Sequence, residues 1–292
     1  MTQPGRKVPL SETERTGTEF FRRAELCFAL LMRMVPRKLR FDLALVLAWM
    51  IVPLFRRTAA YREQEIKGFH EPHEIALHLL LNALTKNATA FEPKIAVKGF
   101  DHVARAFARG KGVLVIGHHA ALTMFMIRFF YDAEFKPVVI TPDDKLRVPG
   151  TLVAARTVQP STTFLVKLRS SLRRGELVCG MPDRADHHGR RTIEFATPAG
   201  QVILAPAIIE VAARCNAEVL FTEVRARGRR LCATIAAPDS GSRTNATALT
   251  EDFISFVREQ TAQGSSKPRF SRPGDADRQP IRTLRQDALE ID

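Results

Sequence analysis

The chain has 292 residues, 45% of them apolar, which is enough for one large core or two small ones and excludes global disorder. Lys and Arg total 44 against 31 Asp and Glu, and the resulting charge of +13 favours polyanionic partners: nucleic acid, an anionic membrane face or an acidic carrier protein. Nucleic acid is disfavoured, because there is no recognisable binding module and the chain has only one Trp and two Tyr.

The first 18 residues read as a polar, flexible arm with no apolar leader segment. Residues 19–90 read as a helical, membrane-associating region. Its first segment, FFRRAELCFALLMRMVP (Phe20 to Pro36), is amphipathic, with Arg22, Arg23 and Arg33 among apolar residues. Its second, FDLALVLAWMIVPLF (Phe41 to Phe55), has 15 residues, contains Asp42 and Pro53, and is bracketed by Arg40 and Arg56-Arg57. A spanning helix needs roughly 20 apolar residues, so this segment is short for one. It suits either a helix lying in the membrane interface or a buried core helix. In HEPHEIALHLLLNALTKNATAF, Ile75, Leu79, Leu80 and Leu84 recur at helical spacing. His70, His73 and His78 lie in the same region, without the Cys or carboxylate partners of an ordinary metal site.

From residue 95 the pattern becomes strand, helix, strand. KIAVKGF is a strand, and DHVARAFARGKG is a helix closed at Gly110. GVLVIG is a buried strand, and Ala120 to Tyr131 a helix. Lys136 to Thr141 is a strand, and helical stretches follow it. ELVCGMPD is another buried strand, TIEFATPAG a strand and turn, and Leu204 to Arg214 a helix. AEVLFTEVRARGRRLCATIAAP makes two strands about Arg227-Gly228, and Leu249 to Gln260 is the last helix. The alternation predicts an α/β domain over residues 91–260, a mostly parallel sheet flanked by helices, with room for antiparallel strands at one edge. Residues 261–292 read as a polar, disordered tail. The four cysteines form no C-x-x-C pair and read as buried, reduced thiols of a cytosolic protein.

Ligands of open α/β sheets collect at the carboxyl ends of strands. Two predicted strand ends carry reactive groups. One ends in Gly117-His118-His119. The other ends in Met181-Pro182-Asp183-Arg184, followed by Asp186, His187 and His188. If those strands are neighbours, both clusters face one crevice.

GKGVLVIGHHAALTMFM resembles the H-x4-[DE] region of the late lauroyl and myristoyl acyltransferases of lipid A biosynthesis, within the wider lysophospholipid and glycerolipid acyltransferase superfamily. LRRGELVCGMPDRADHHGRRTIEFATPAGQVILAPAIIEVAARCNAEVLF is similar to that family's later motifs, including the Pro198-Ala199 turn, and VKGFDHVARAFARGKG to its approach to the first. The resemblance spans about residues 25–260. It implies a glycerolipid acyltransferase-like fold with N-terminal membrane-seeking helices, on the cytoplasmic face of the inner membrane. The implied reaction moves a fatty acyl group from acyl carrier protein or acyl-CoA to a lipid hydroxyl, with no cofactor or metal and with an anionic membrane surface as partner.

The resemblance makes His118 the general base, because it follows Gly117 as the motif histidine follows glycine. A hydroxyl is a poor nucleophile at neutral pH and needs such a base. The family's acidic residue, five positions on, orients and stabilises the imidazole. Here that position holds Thr123. Either Thr123 substitutes by a neutral hydrogen bond, another carboxylate such as Asp183 serves, or catalysis is lost and the chain is an acyl-lipid binding or accessory protein. His119, Arg184, Arg147 and Arg156 are the implied substrate-binding residues. The family's closing aromatic segment is missing from FVREQTAQGSSKPRF, which leaves the acceptor open. A metal-dependent hydrolase using His118, His119, Asp183, His187 and His188 is a further alternative. It is disfavoured because adjacent side chains on a strand point to opposite faces.

Overall fold

The computed structural model describes residues 12–55, 71–183, 191–198, 200–239 and 244–264. Among these, helices α1 (Glu12–Arg33), α2 (Arg37–Phe55) and α3 (Pro72–Lys86) precede a sheet domain. The sheet domain runs β1 (Ile95–Lys98), α4 (Phe100–Ala108), β2 (Val113–Gly117), a 3-10 turn (Thr123–Phe125), α5 (Met126–Asp132), β3 (Val138–Ile140) and β4 (Arg156–Val158). It continues with α6 (Phe164–Arg173), β5 (Leu177–Gly180), β6 (Ile193–Thr197), β7 (Gly200–Leu204), α7 (Ala207–Arg214), β8 (Glu218–Arg227), β9 (Arg230–Ala236) and α8 (Ala246–Gly264).

Seven of the described strands form one sheet in the order β1-β9-β8-β2-β5-β3-β4, and β6 and β7 form a separate antiparallel pair. β8, β2, β5, β3 and β4 run parallel, while β9 pairs antiparallel with β8 and carries β1 beside it. The mostly parallel α/β sheet with antiparallel strands at one edge is therefore present. Helices cover both faces. One core joins α1 to α5 with Val113, Val115, Cys179, Leu220 and Val224. The other joins α6 to α8 with Leu114, Ile116, Val178, Val219 and Phe221. All five residues of β2 are buried, which is why that segment is an unbroken apolar run.

Several boundaries differ from those read in the sequence. α1 begins at Glu12, inside the stretch read as a loose arm, and α8 runs on to Gly264. The helix expected from Ala120 starts only after the 3-10 turn, because residues 118–122 are consumed in leaving the strand end: Ala120 N–H donates to His118 O and Thr123 N–H to Ala120 O. β4 lies where only helical stretches were expected. It has three residues and exists by pairing with β3, so no periodicity announces it. Only Cys179 of the four free thiols is fully buried, and Cys27 is exposed.

No described helix is long and apolar enough to cross a membrane. α2 is apolar on two sides. Phe41, Ala44, Leu45 and Ala48 are buried at helical spacing in the core that holds α3, and Leu39, Leu43, Val46 and Met50 form an exposed stripe. α1 also exposes Leu26, Leu30 and Leu31, and Met34 just past its end is exposed too. The segment is thus partly a core helix and partly an exposed apolar surface.

Candidate active site

The strands ending in His118 and Asp183 are neighbours, with Ile116 paired to Gly180. Asp183 Oδ2 accepts the backbone N–H of His119, so the two strand ends are tied directly. The His119 ring lies 3.2 Å (Nδ1) from Met181 Sδ. Asp183 thus acts on the backbone beside the imidazole of His118. Arg184, Asp186, His187 and His188 lie outside the described residues, as does Ala199.

On its other side β2 pairs with β8, Gly117 opposite Thr222. The next residues are His118 and Glu223, and His118 Nε2 lies 3.8 Å from Glu223 Oε1. Strand alternation explains the meeting. Ile116 and Phe221 point into the core of α6 to α8, so two residues later His118 and Glu223 point the same way. Gly117 and Thr222 point to the opposite face, where Thr123 lies. A Cβ on Gly117 would come within 2.7 Å of Thr123 Cγ2 and 2.8 Å of Thr222 O, so only glycine fits.

The structure does not bring Thr123 into hydrogen-bond contact with the imidazole. Its side chain is fully buried on the other side of the sheet from the imidazole, and its Oγ1 has no hydrogen-bond partner. The carboxylate near His118 comes instead from Glu223, about a hundred residues away in sequence. Sequence reasoning missed it. The available signal was a lone acid inside the apolar run VLFTEV, since a buried strand accommodates a charge only with a reason.

Glu223 sits in a charged series. Arg225 Nε is 2.7 Å from Glu223 Oε1, and Arg225 Nη1 is 3.1 Å from Glu74 Oε2. Glu74, on α3, also accepts the N–H of Ala226 at 2.7 Å. Burial pushes the Glu223 carboxyl up to about 7 despite the opposing pull of Arg225, and Glu74 adds to the rise. Burial likewise raises Glu74, against the pull of Arg225. For Arg225 burial opposes the charge, but Glu223 and Glu74 together raise its pKa.

α3 lies along the carboxyl ends of the strands. Near its start Glu74 holds the end of β8. Its middle places His78 against the backbone of Ala121, just past His118. Lys86 O, at its end, accepts from Arg147 Nη1 in the segment after β3. Burial, then the neighbouring His119, lowers His78 to about 4, so it is neutral at pH 7. His73 stacks on Trp49 of α2, with ring centroids 4.6 Å apart. His70 lies outside the described residues, and no three described His, Cys, Asp or Glu side chains are grouped to hold a metal ion.

Of the remaining candidates, Arg147 contacts the exposed end of α3. Arg156 is not brought to the other candidates. It starts β4, at the amino ends of the parallel strands and away from His118, and it pairs at 3.0 Å with Glu176. Burial works against the charge on Glu176, but hydrogen bonds from Arg174, Arg156 and Ser171 hold its carboxyl at about 2. No family model matches this chain, and no curated protein matches it either.

Proposed function

We propose that the protein is an acyltransferase of the glycerolipid and lipid A acyltransferase type, moving a fatty acyl group from an acyl thioester to the hydroxyl of a lipid-like acceptor at an anionic membrane surface. One observation carries the reading: a buried imidazole at a strand's carboxyl end, beside a buried carboxylate at the same register on the adjacent parallel strand. That arrangement supplies the base-plus-carboxylate unit that Thr123 leaves out of the local motif.

In this reading His118 takes the proton of the acceptor hydroxyl as its oxygen attacks the thioester carbonyl. The tetrahedral intermediate collapses by breaking the carbon–sulfur bond, and the imidazolium returns the proton to the departing thiolate. Glu223, when ionised, stabilises the imidazolium, and Arg225 favours that ionised form. Asp183 fixes the His119 backbone and so the direction in which His118 leaves the strand. The apolar stripes of α1 and α2, with exposed Arg23, Arg33, Arg37 and Lys38 nearby, are suited to an anionic interface. The basic surface suits an acidic carrier protein as well.

The test is thioester consumption by detergent-purified protein. Long-chain acyl-CoA and acyl carrier protein are offered with a total lipid extract, to wild type, His118→Ala and Glu223→Gln. Turnover that disappears in His118→Ala supports the reading. Absence of turnover in wild type with acyl chains still bound favours the accessory-protein alternative.

A further inference from the structure

We propose that Glu74 is a positioning residue for this site, acting from helix α3 through the cation Arg225 on Glu223 and thence on His118. The proposal rests on the transferase reading only for its catalytic consequence. The arrangement itself is geometric: one guanidinium lies between two buried carboxylates, 2.7 Å from Glu223 and 3.1 Å from Glu74, and of the two acids it is Glu223 that approaches the imidazole.

The physics is a shared charge. Two buried acids flank one guanidinium, and a negative charge on Glu74 opposes ionisation of Glu223 while Arg225 favours it. The other groups facing the series are His73 on α3, Arg227 farther along β8, and the Gln260 carbonyl of α8, which lies 3.5 Å from Arg225 Nη2. Arg227 is an exposed cation, so the variable charge nearest Arg225 on the α3 side is Glu74. The two oxygens of Glu74 have different tasks. Oε1 fixes the end of β8 through Ala226 N–H, and Oε2 fixes the guanidinium. Glu74 thereby sets where Arg225 stands and adds a charge against which Glu223 must ionise.

The consequence is that the base at His118 is tuned by a helix outside the sheet. α1 and α2 both pack on α3, so the helices that carry the exposed apolar stripes support the same element as the tuning carboxylate. A structural ion triad alone would influence stability and leave the protonation of Glu223 without a catalytic readout.

The experiment uses the full-length protein with 13C-labelled glutamate carboxyls. The Glu223 resonance is identified by its loss in Glu223→Gln, and its titration is compared in wild type, Glu74→Gln, Arg225→Lys and Arg225→Gln, beside the pH profile of turnover. Glu74→Gln keeps the shape and an acceptor for Ala226 N–H while removing the competing charge. The Glu223 titration should fall by about one pH unit, with the acid limb of turnover following it. Arg225→Lys should stay near wild type, and Arg225→Gln should move the titration upward. If Glu74→Gln folds and titrates as wild type does, the proposal is overturned, whatever the turnover. If the titration moves while no protein, wild type included, turns over a thioester, the charge link stands and the transferase reading fails. Should Arg225→Gln not fold, the Glu74→Gln and Arg225→Lys pair still decides the matter.

Discussion

Glu223 stands beside His118 because β8 and β2 are parallel and in register, so that one residue past the Gly117–Thr222 pair the imidazole and the carboxyl come within 3.8 Å. Thr123, only five positions from His118 in sequence, lies on the opposite side of the same strand end. The two residues that compete for the role of orienter therefore make opposite predictions.

Removing the imidazole in His118→Ala should abolish thioester turnover, and Glu223→Gln should lower it by about 10²–10⁴-fold with a smaller change in KM. Thr123→Val should leave turnover within a factor of a few. Because the Thr123 hydroxyl is buried without a partner, the valine variant should also be more stable, by about 1 kcal/mol in urea unfolding. A Thr123→Val enzyme as damaged as Glu223→Gln would restore Thr123 to the site.

The pH dependence follows from a Glu223 carboxyl raised to about 7. Turnover should rise with pH through that value, as the carboxylate needed by the imidazolium forms. Stability should move the other way. A carboxyl that holds its proton more tightly folded than unfolded favours the fold most below its ordinary pKa of 4.5, and that advantage is lost as pH rises through about 7. The span corresponds to about 3 kcal/mol, so the difference between wild type and Glu223→Gln should drift by that order between pH 4.5 and 7.5. Equilibrium unfolding of both proteins across this range measures it, and a flat difference would contradict the buried acid.

Asp183→Asn tests the tie between the strand ends. The amide still offers an oxygen to His119 N–H but loses the charge assistance, so a modest loss of about 1 kcal/mol in stability is expected, with kcat falling more than KM rises. Asp183→Ala should cost more on both counts. If Asp183→Ala raised KM alone, the residue would be a substrate contact.

Trp49 is the sole tryptophan, and it is stacked on His73 one residue before Glu74. Burial, the largest influence, holds His73 below its usual 6.5 despite nearby Glu71, and Arg225 lowers it further. A protonated imidazole quenches indole emission, so fluorescence should drop on acidification with a midpoint below 6.5. His73→Gln should remove the step. Persistence of the step would place the quencher elsewhere.

The exposed stripe of α2 gives a separate test at the membrane. Leu43→Glu and Met50→Glu should each weaken binding to anionic vesicles several-fold while leaving thermal unfolding nearly unchanged, since both side chains are solvent-facing. Wild-type binding should weaken with added salt.

The sequence alone determined the alternating strands and helices, the buried runs of β2 and β5, the hairpin at Gly228 and the position of His118 at a strand end. These are local properties, written in periodicity, β-branching and glycine placement, and they survive because burial on both faces of a parallel sheet demands apolar runs. Only the tertiary structure decided which strands are neighbours. Pairing β2 with β8 brought Glu223 to His118, and laying α3 along the strand ends brought Glu74 to Arg225. Register also put Thr123 on the Gly117 side of the strand end. A period of two sends alternate side chains to opposite faces, so a residue close in sequence can be remote from the site, while one far along the chain stands next to it.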